Sequence, residues 1–154
     1  MDLSAITSVQ NRTRQSVISH IGTKWCGPGN RADNYDDLGS EVETDKCCRA
    51  HDTCPEVIEA GETKYNLTNT AFYSRLSCNC DEAFRLCLRK DGSEASDTVG
   101  IIYFNVIGTQ CFRKDYNATG CLKYGGFFHT KCLEYEYDTS SEKFYQWFDV
   151  PNYV

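Results

Sequence analysis

Three cysteines, a histidine and an aspartate are packed into CCRAHDTC, Cys47 to Cys54. Upstream lies WCGPGN, Trp25 to Asn30, a loop with two glycines and a proline. His51 has the side chain of a general base, with a free pKa of about 6.5. Asp52 projects roughly 100° around a helix from His51, so it must serve a different partner. A carboxylate beside a glycine-rich loop suits a hard cation, and calcium takes carboxylates, backbone carbonyls and water. Gly27 and Gly29 let the backbone curl so that carbonyls can converge. Metal polarisation of a carbonyl, joined to water activated by a base, is the chemistry of ester hydrolysis. No G-x-S-x-G nucleophile elbow occurs, so the base would act on water itself.

The cysteine spacing says which elements must position these groups. Cys47 and Cys54 share a seven-residue spacing with Cys80 and Cys87. That is about two helical turns, so each pair lies on one helix face. Antiparallel helices would pair 47 with 87 and 54 with 80. Parallel helices would pair 47 with 80 and 54 with 87. Neighbouring helices with modest connections favour the antiparallel form. In that register Ala83 faces His51, and Asp81 lies about half a turn away, close enough to lean across. Asp81 is therefore the candidate partner that fixes the imidazole tautomer and stabilises the imidazolium. Cys26 can tie the glycine-rich loop to the first helix through Cys48, which shares a face with Asp52. His20 and His129 have no such surroundings and are read as structural.

The first helix is expected to start near Thr44, as its cap, with Asp45 at its positive end. It should kink or end around Pro55, with Gly61 a terminator. A longer second helix is expected from about Asn69 to Lys90, stopped by Asp91-Gly92. The run GIIYFNVIG suits a third helix or a strand. Beyond Cys111 the pattern turns β-like, with a hairpin at Gly125-Gly126, the alternating LEYEYD and the aromatic KFYQWF. The fold class is mainly α with a small β part. The acidic run DNYDDLG lacks the ligand alternation of an EF-hand and reads as a solvated loop.

The chain has 154 residues, a length suited to one domain. Residues 1–17 are polar and cysteine-free and read as an arm, with the domain over 18–154. Ten cysteines at this length point to disulfides in an oxidising compartment, hence to secretion. Adjacent Cys47-Cys48 and the Cys78, Cys80 spacing do not match paired zinc ligands. Asn11, Asn66 and Asn117 stand in glycosylation triplets. The first 24 residues hold no apolar run of signal-peptide length, and no stretch could span a membrane. A net charge of −6 argues against nucleic acid and against docking on anionic lipid by charge alone.

WCGPGN, DKCCRAHDTCP, LTNT, LSCNCD, YFNVIGTQC and the terminal YQWFD together resemble the group III secreted phospholipases A2, the bee-venom type. The likeness covers about Ile18 to Asp149. It implies calcium-dependent hydrolysis of the sn-2 ester of glycerophospholipids by a secreted enzyme at a phospholipid surface, and a monomer is expected. It implies His51 as the base, Asp81 as its orienter and Tyr103 as a hydrogen-bonding support for Asp81. Calcium would be held by carbonyls of Trp25, Gly27 and Gly29 and by the Asp52 carboxylate, with the Gly27 N–H as an oxyanion donor. The implied disulfides are 26–48, 47–87, 54–80, 78–111 and 121–132. The bee-venom enzyme is basic and this chain is acidic, so lipid docking should lean on apolar contacts. Ile18, Ile21 and Arg75 are candidates for that surface. The alternative is a non-catalytic, toxin-like protein that binds a protein receptor on the same scaffold. Retention of His51, Asp52, Asp81 and the glycine loop favours the enzyme.

Overall fold

The computed structural model describes residues 22–27, 30–126 and 128–154. The expected arm over 1–17, together with Asn11, Ile18, His20, Ile21 and Gly29, lies outside them. Helix α1 runs Val42–Asp52 and stops ahead of Pro55. Thr44 does not cap it. The Thr44 side chain is buried within the first turn, and its hydroxyl meets Ser96 Oγ at 2.7 Å.

Helix α2 spans Cys78–Asp91, shorter than the pattern predicts. The residues ahead of it are held away from helix by Asn69. Its amide donates to the carbonyls of Ile58 at 3.0 Å and Tyr73 at 2.8 Å, and its side-chain oxygen accepts from Ala71 N–H at 3.1 Å. A side chain that satisfies nearby backbone groups competes with the helix for them. Strand β4, Arg75–Leu76, then pairs antiparallel with β1, Val57–Ile58, and β2, Thr63–Lys64, pairs with β3, Leu67–Thr68. Arg75 thus stands on a strand rather than on the second helix, with its guanidinium over the Trp147 ring. Ser77 caps α2 by accepting from Cys80 N–H at 3.2 Å. Gly92, at φ 65°, ends the helix in the left-handed conformation that glycine adopts without strain.

Helix α3, Glu94–Gly100, passes without a break into a π-helix, Ile101–Ile107. GIIYFNVIG is therefore helical despite its β-branched residues. Strands β5, Gln110–Asp115, and β8, Phe144–Asp149, pair antiparallel, as do β6, Asn117–Gly125, and β7, Lys131–Asp138. The β6–β7 hairpin turns at Gly125-Gly126 as predicted. The strand part is larger than a mainly α reading allows, and the fold is a small mixed α/β one. The core gathers Phe84 and Leu88 of α2, Val99 of α3, Phe104 of the π-helix and Phe148 of β8.

Five disulfides join 26–48, 47–87, 54–80, 78–111 and 121–132, the pairs the resemblance implies. Each can contribute roughly 2–4 kcal/mol by restricting the unfolded chain.

Asp91 knits three helix ends together. Its Oδ2 accepts from Ser93 Oγ at 2.5 Å and from Ser96 Oγ at 2.7 Å, and Ser96 in turn meets Thr44. The Ser93 hydroxyl, then the Ser96 hydroxyl, hold the Asp91 carboxyl below the usual carboxylate range. A lowered folded value means stability that is present above the unfolded pKa of about 3.9 and is lost as pH falls through the folded value. Asp91→Asn is expected to lower the melting temperature by a few degrees at pH 7 and by much less at pH 3. An equal gap at both pH values would contradict this role.

Candidate active site

His51 lies in the last turn of α1 and Asp81 in the first turn of α2. Their side chains meet, His51 Nε2 to Asp81 Oδ1, at 2.6 Å. Helix ends concentrate partial charge, positive at the N-terminus and negative at the C-terminus. Asp81 thus sits at the positive end of α2 and His51 at the negative end of α1. The Asp81 side chain is 1% exposed and that of His51 8%. Burial strengthens the pair, because water does not compete for the same atoms.

Tyr103 completes the cluster from the π-helix. Its hydroxyl donates to the same Asp81 Oδ1 at 2.9 Å. The His51 ring stacks on Phe84, with centroids 4.2 Å apart and planes 16° apart, and meets the Tyr103 ring edge-on. Rotation of the imidazole is thereby restricted. Among the described residues, His51 Nδ1 has no hydrogen-bond partner. A cavity of about 110 Å³ lies beside the ring, lined by Ala50, Ala83, Phe84 and the 47–87 and 54–80 disulfides. The three residues expected to work together are therefore assembled: one imidazole nitrogen held by a carboxylate, and the carboxylate held by a phenol.

The loop expected to face a cation is anchored to α1 by the Cys26–Cys48 disulfide, with Cα atoms 5.1 Å apart. Trp25 is buried and Gly27 half-buried. Asp52 is exposed at the end of the same helix, one residue past His51. These donors are hard oxygens from backbone and carboxylate, which fits a calcium ion. Another gathering of metal-type donors, Cys54, Glu56 and Cys80, does not fit one. Its two sulfurs are bonded to each other and offer no thiolate.

Two residues that shape this loop were missed from sequence. Asp45, which the residue pattern makes a helix-end charge, is buried and faces the loop instead. Its carboxylate accepts from Trp25 N–H at 2.8 Å, from Lys24 N–H at 2.9 Å and from Gly39 N–H at 2.7 Å. Asp37, from the acidic run, pairs with Lys24 Nζ at 2.6 Å, and its carbonyl accepts from Trp25 Nε1 at 2.9 Å. The Lys24–Asp37 side-chain hydrogen bond lowers the Asp37 pKa and raises that of Lys24. The acidic run is thus a brace for the loop. The available signal was weak, an acid two residues ahead of CCRAHD and a lysine beside WCGPGN.

A family model described as phospholipase A2 matches residues 19–115. Curated proteins named phospholipase A2 are also similar to the chain. One from Bombus terrestris is 52% identical over 134 residues, 86% of this chain and 97% of the relative. One from Xylocopa appendiculata circumvolans is 51% identical over 133 residues, 86% of this chain and 72% of the relative. One from Bombus pensylvanicus is 50% identical over 137 residues, 88% of this chain and 100% of the relative.

Asp45→Asn puts an amide N–H where three backbone N–H groups need an acceptor. It is expected to cost about 1–3 kcal/mol. The Lys24, Trp25 and Gly39 amides should exchange faster with solvent. Unchanged exchange at all three would remove Asp45 as the anchor.

Proposed function

We propose a reaction and a mechanism for a chain that belongs to the phospholipase A2 family and is an esterase of that kind. The reaction is hydrolysis of the sn-2 ester of a glycerophospholipid to a fatty acid and a lysophospholipid. The observation that carries it is the buried contact of His51 Nε2 with Asp81 Oδ1 at 2.6 Å, shared by the Tyr103 hydroxyl at 2.9 Å.

In this reading Asp81 keeps the proton of neutral His51 on Nε2. Nδ1 then takes a proton from water as the water attacks the sn-2 carbonyl carbon. Asp81 stabilises the imidazolium, and Tyr103 keeps Asp81 in place without taking its proton. His51 returns the proton to the departing lysophospholipid oxygen. The carbonyls of Trp25, Gly27 and Gly29 and the Asp52 carboxylate would hold calcium, which supplies charge stabilisation for the developing oxyanion. The Gly27 N–H is a further donor to that oxygen.

The helix pair under the site is read as antiparallel. Supporting this, Cys47 early in α1 bonds Cys87 late in α2, while Cys54 past α1 bonds Cys80 early in α2. Residues 18–154 are taken as the catalytic domain. Five disulfides support a secreted, extracellular protein, and no described helix is long and apolar enough to cross a membrane. The enzyme would act as a monomer on a phospholipid surface, with glycans at its exposed triplets Asn66 and Asn117.

His51→Gln is expected to fold and bind calcium while losing about 10²–10⁴-fold in fatty-acid release from mixed phospholipid vesicles. Undiminished release would sink the base assignment. Asp52→Asn is expected to abolish calcium binding measured by titration calorimetry, and an unchanged isotherm would take Asp52 out of the ligand set.

A further inference from the structure

Tyr103 reaches Asp81 from a π-helix, a register that seldom persists without support from its surroundings. Gly108 N–H closes one i→i+5 ring on the Tyr103 carbonyl at 3.2 Å. The flanks of Tyr103 are then fixed to one short segment, Pro151–Tyr153. Asn105 clamps the backbone of Tyr153 at two points. Its Nδ2 donates to the Tyr153 carbonyl at 2.9 Å, and its Oδ1 accepts from Tyr153 N–H at 2.8 Å. Lys131 Nζ donates to the Phe104 carbonyl at 2.7 Å, the Pro151 carbonyl at 3.0 Å and Asn152 Oδ1 at 3.2 Å. Three acceptors match the three N–H bonds of an ammonium. One cation therefore joins the π-helix to the segment.

The Tyr153 side chain continues the attachment toward α3. Its ring lies nearly parallel to Phe104 and against Gly100, where a Cβ would sit 2.5 Å from ring carbons. Only glycine permits that approach. The Tyr153 hydroxyl donates to Asp97 Oδ1 at 2.8 Å. Asp97, Gly100, Phe104 and Asn105, on both sides of Tyr103, thus share one fixture.

We propose that Asn105, Lys131 and Tyr153 form a clasp that positions Tyr103 on Asp81, and that they act on catalysis through that phenol. They are positioning residues, because they act through Tyr103 rather than on the reacting atoms. The inference rests on the His51–Asp81–Tyr103 reading above.

The test is a double-mutant cycle. Asn105→Leu keeps the side-chain shape and removes both bonds to Tyr153. It is made in the wild-type and Tyr103→Phe backgrounds, and kcat, KM and the calcium midpoint are measured on phosphatidylcholine–phosphatidylglycerol vesicles. Asn105→Leu is expected to lower kcat about three- to tenfold in the wild type, with KM and the calcium midpoint unmoved. In Tyr103→Phe the same change should alter kcat by less than about 1.5-fold. Equal losses in both backgrounds would overturn the clasp, since a general loss of structure does not depend on the phenol. So would an unchanged kcat in the wild type. Should Asn105→Leu fail to fold, Asn105→Asp, which keeps the acceptor and removes the donor, is read by the same criteria. His51→Gln run alongside separates the two levels. If it stays active the underlying mechanism fails, and if it is inactive while the cycle is additive only the clasp fails.

Discussion

The hydrogen bond between His51 and Asp81 sets where everything else must go. It joins the end of α1 to the start of α2, so these two helix ends must stay together to within a few tenths of an ångström. Two disulfides, at 47–87 and 54–80, bracket the contact. Phe84 stacks on the imidazole and Tyr103 meets it edge-on, so the ring has little freedom to turn. In the proposed mechanism a base that keeps one nitrogen occupied offers the other at a fixed place. On that proposal the cross-links that crowd around a single histidine serve its positioning.

The acidic character of the chain is used in the interior as well as on the surface. Asp45 and Asp37 hold the loop around Trp25 by its backbone N–H groups, its indole and Lys24. Fixing the amides of a loop also fixes the direction of its carbonyls, since each peptide unit is planar. Asp45, buried behind the loop, thus fixes the peptide planes that carry the Thr23 and Lys24 carbonyls, next to the Trp25 carbonyl proposed to face calcium. The same economy appears at Asp91, where one carboxylate holds Ser93 and Ser96 at the junction of α2 and α3.

The His51–Asp81 contact was legible in the chain because disulfide spacing carries three-dimensional information. Two cysteine pairs at a common spacing suggested the pairings 47–87 and 54–80, which the structure contains, and from them the approach of Asp81 to His51. Periodicity was less reliable where a side chain competes with the backbone. Asn69 satisfies two carbonyls itself and diverts residues that a 3.6-residue pattern assigns to a helix. Thr44 and Asp45 have the right types for a helix start, yet both turn inward to serve other segments. A cap and an interior acceptor look alike in sequence, because the difference lies in what folds over them. The π-helix is also invisible in sequence. Its residues Phe104 and Asn105 are attached to residues far along the chain, Lys131 and Tyr153.

The central claim is that Asp81 holds the imidazole proton on Nε2 and leaves Nδ1 to accept one from water. Nitrogen NMR of the His51 ring, at a pH where the imidazole is neutral, tests it most directly. The account predicts a proton on Nε2, shifted by a strong hydrogen bond, and an unprotonated Nδ1. Replacing Tyr103 by phenylalanine should perturb the Nε2 proton signal and leave the tautomer unchanged. A neutral ring protonated on Nδ1 would contradict the account, because the nitrogen meant to act on water would already carry its proton.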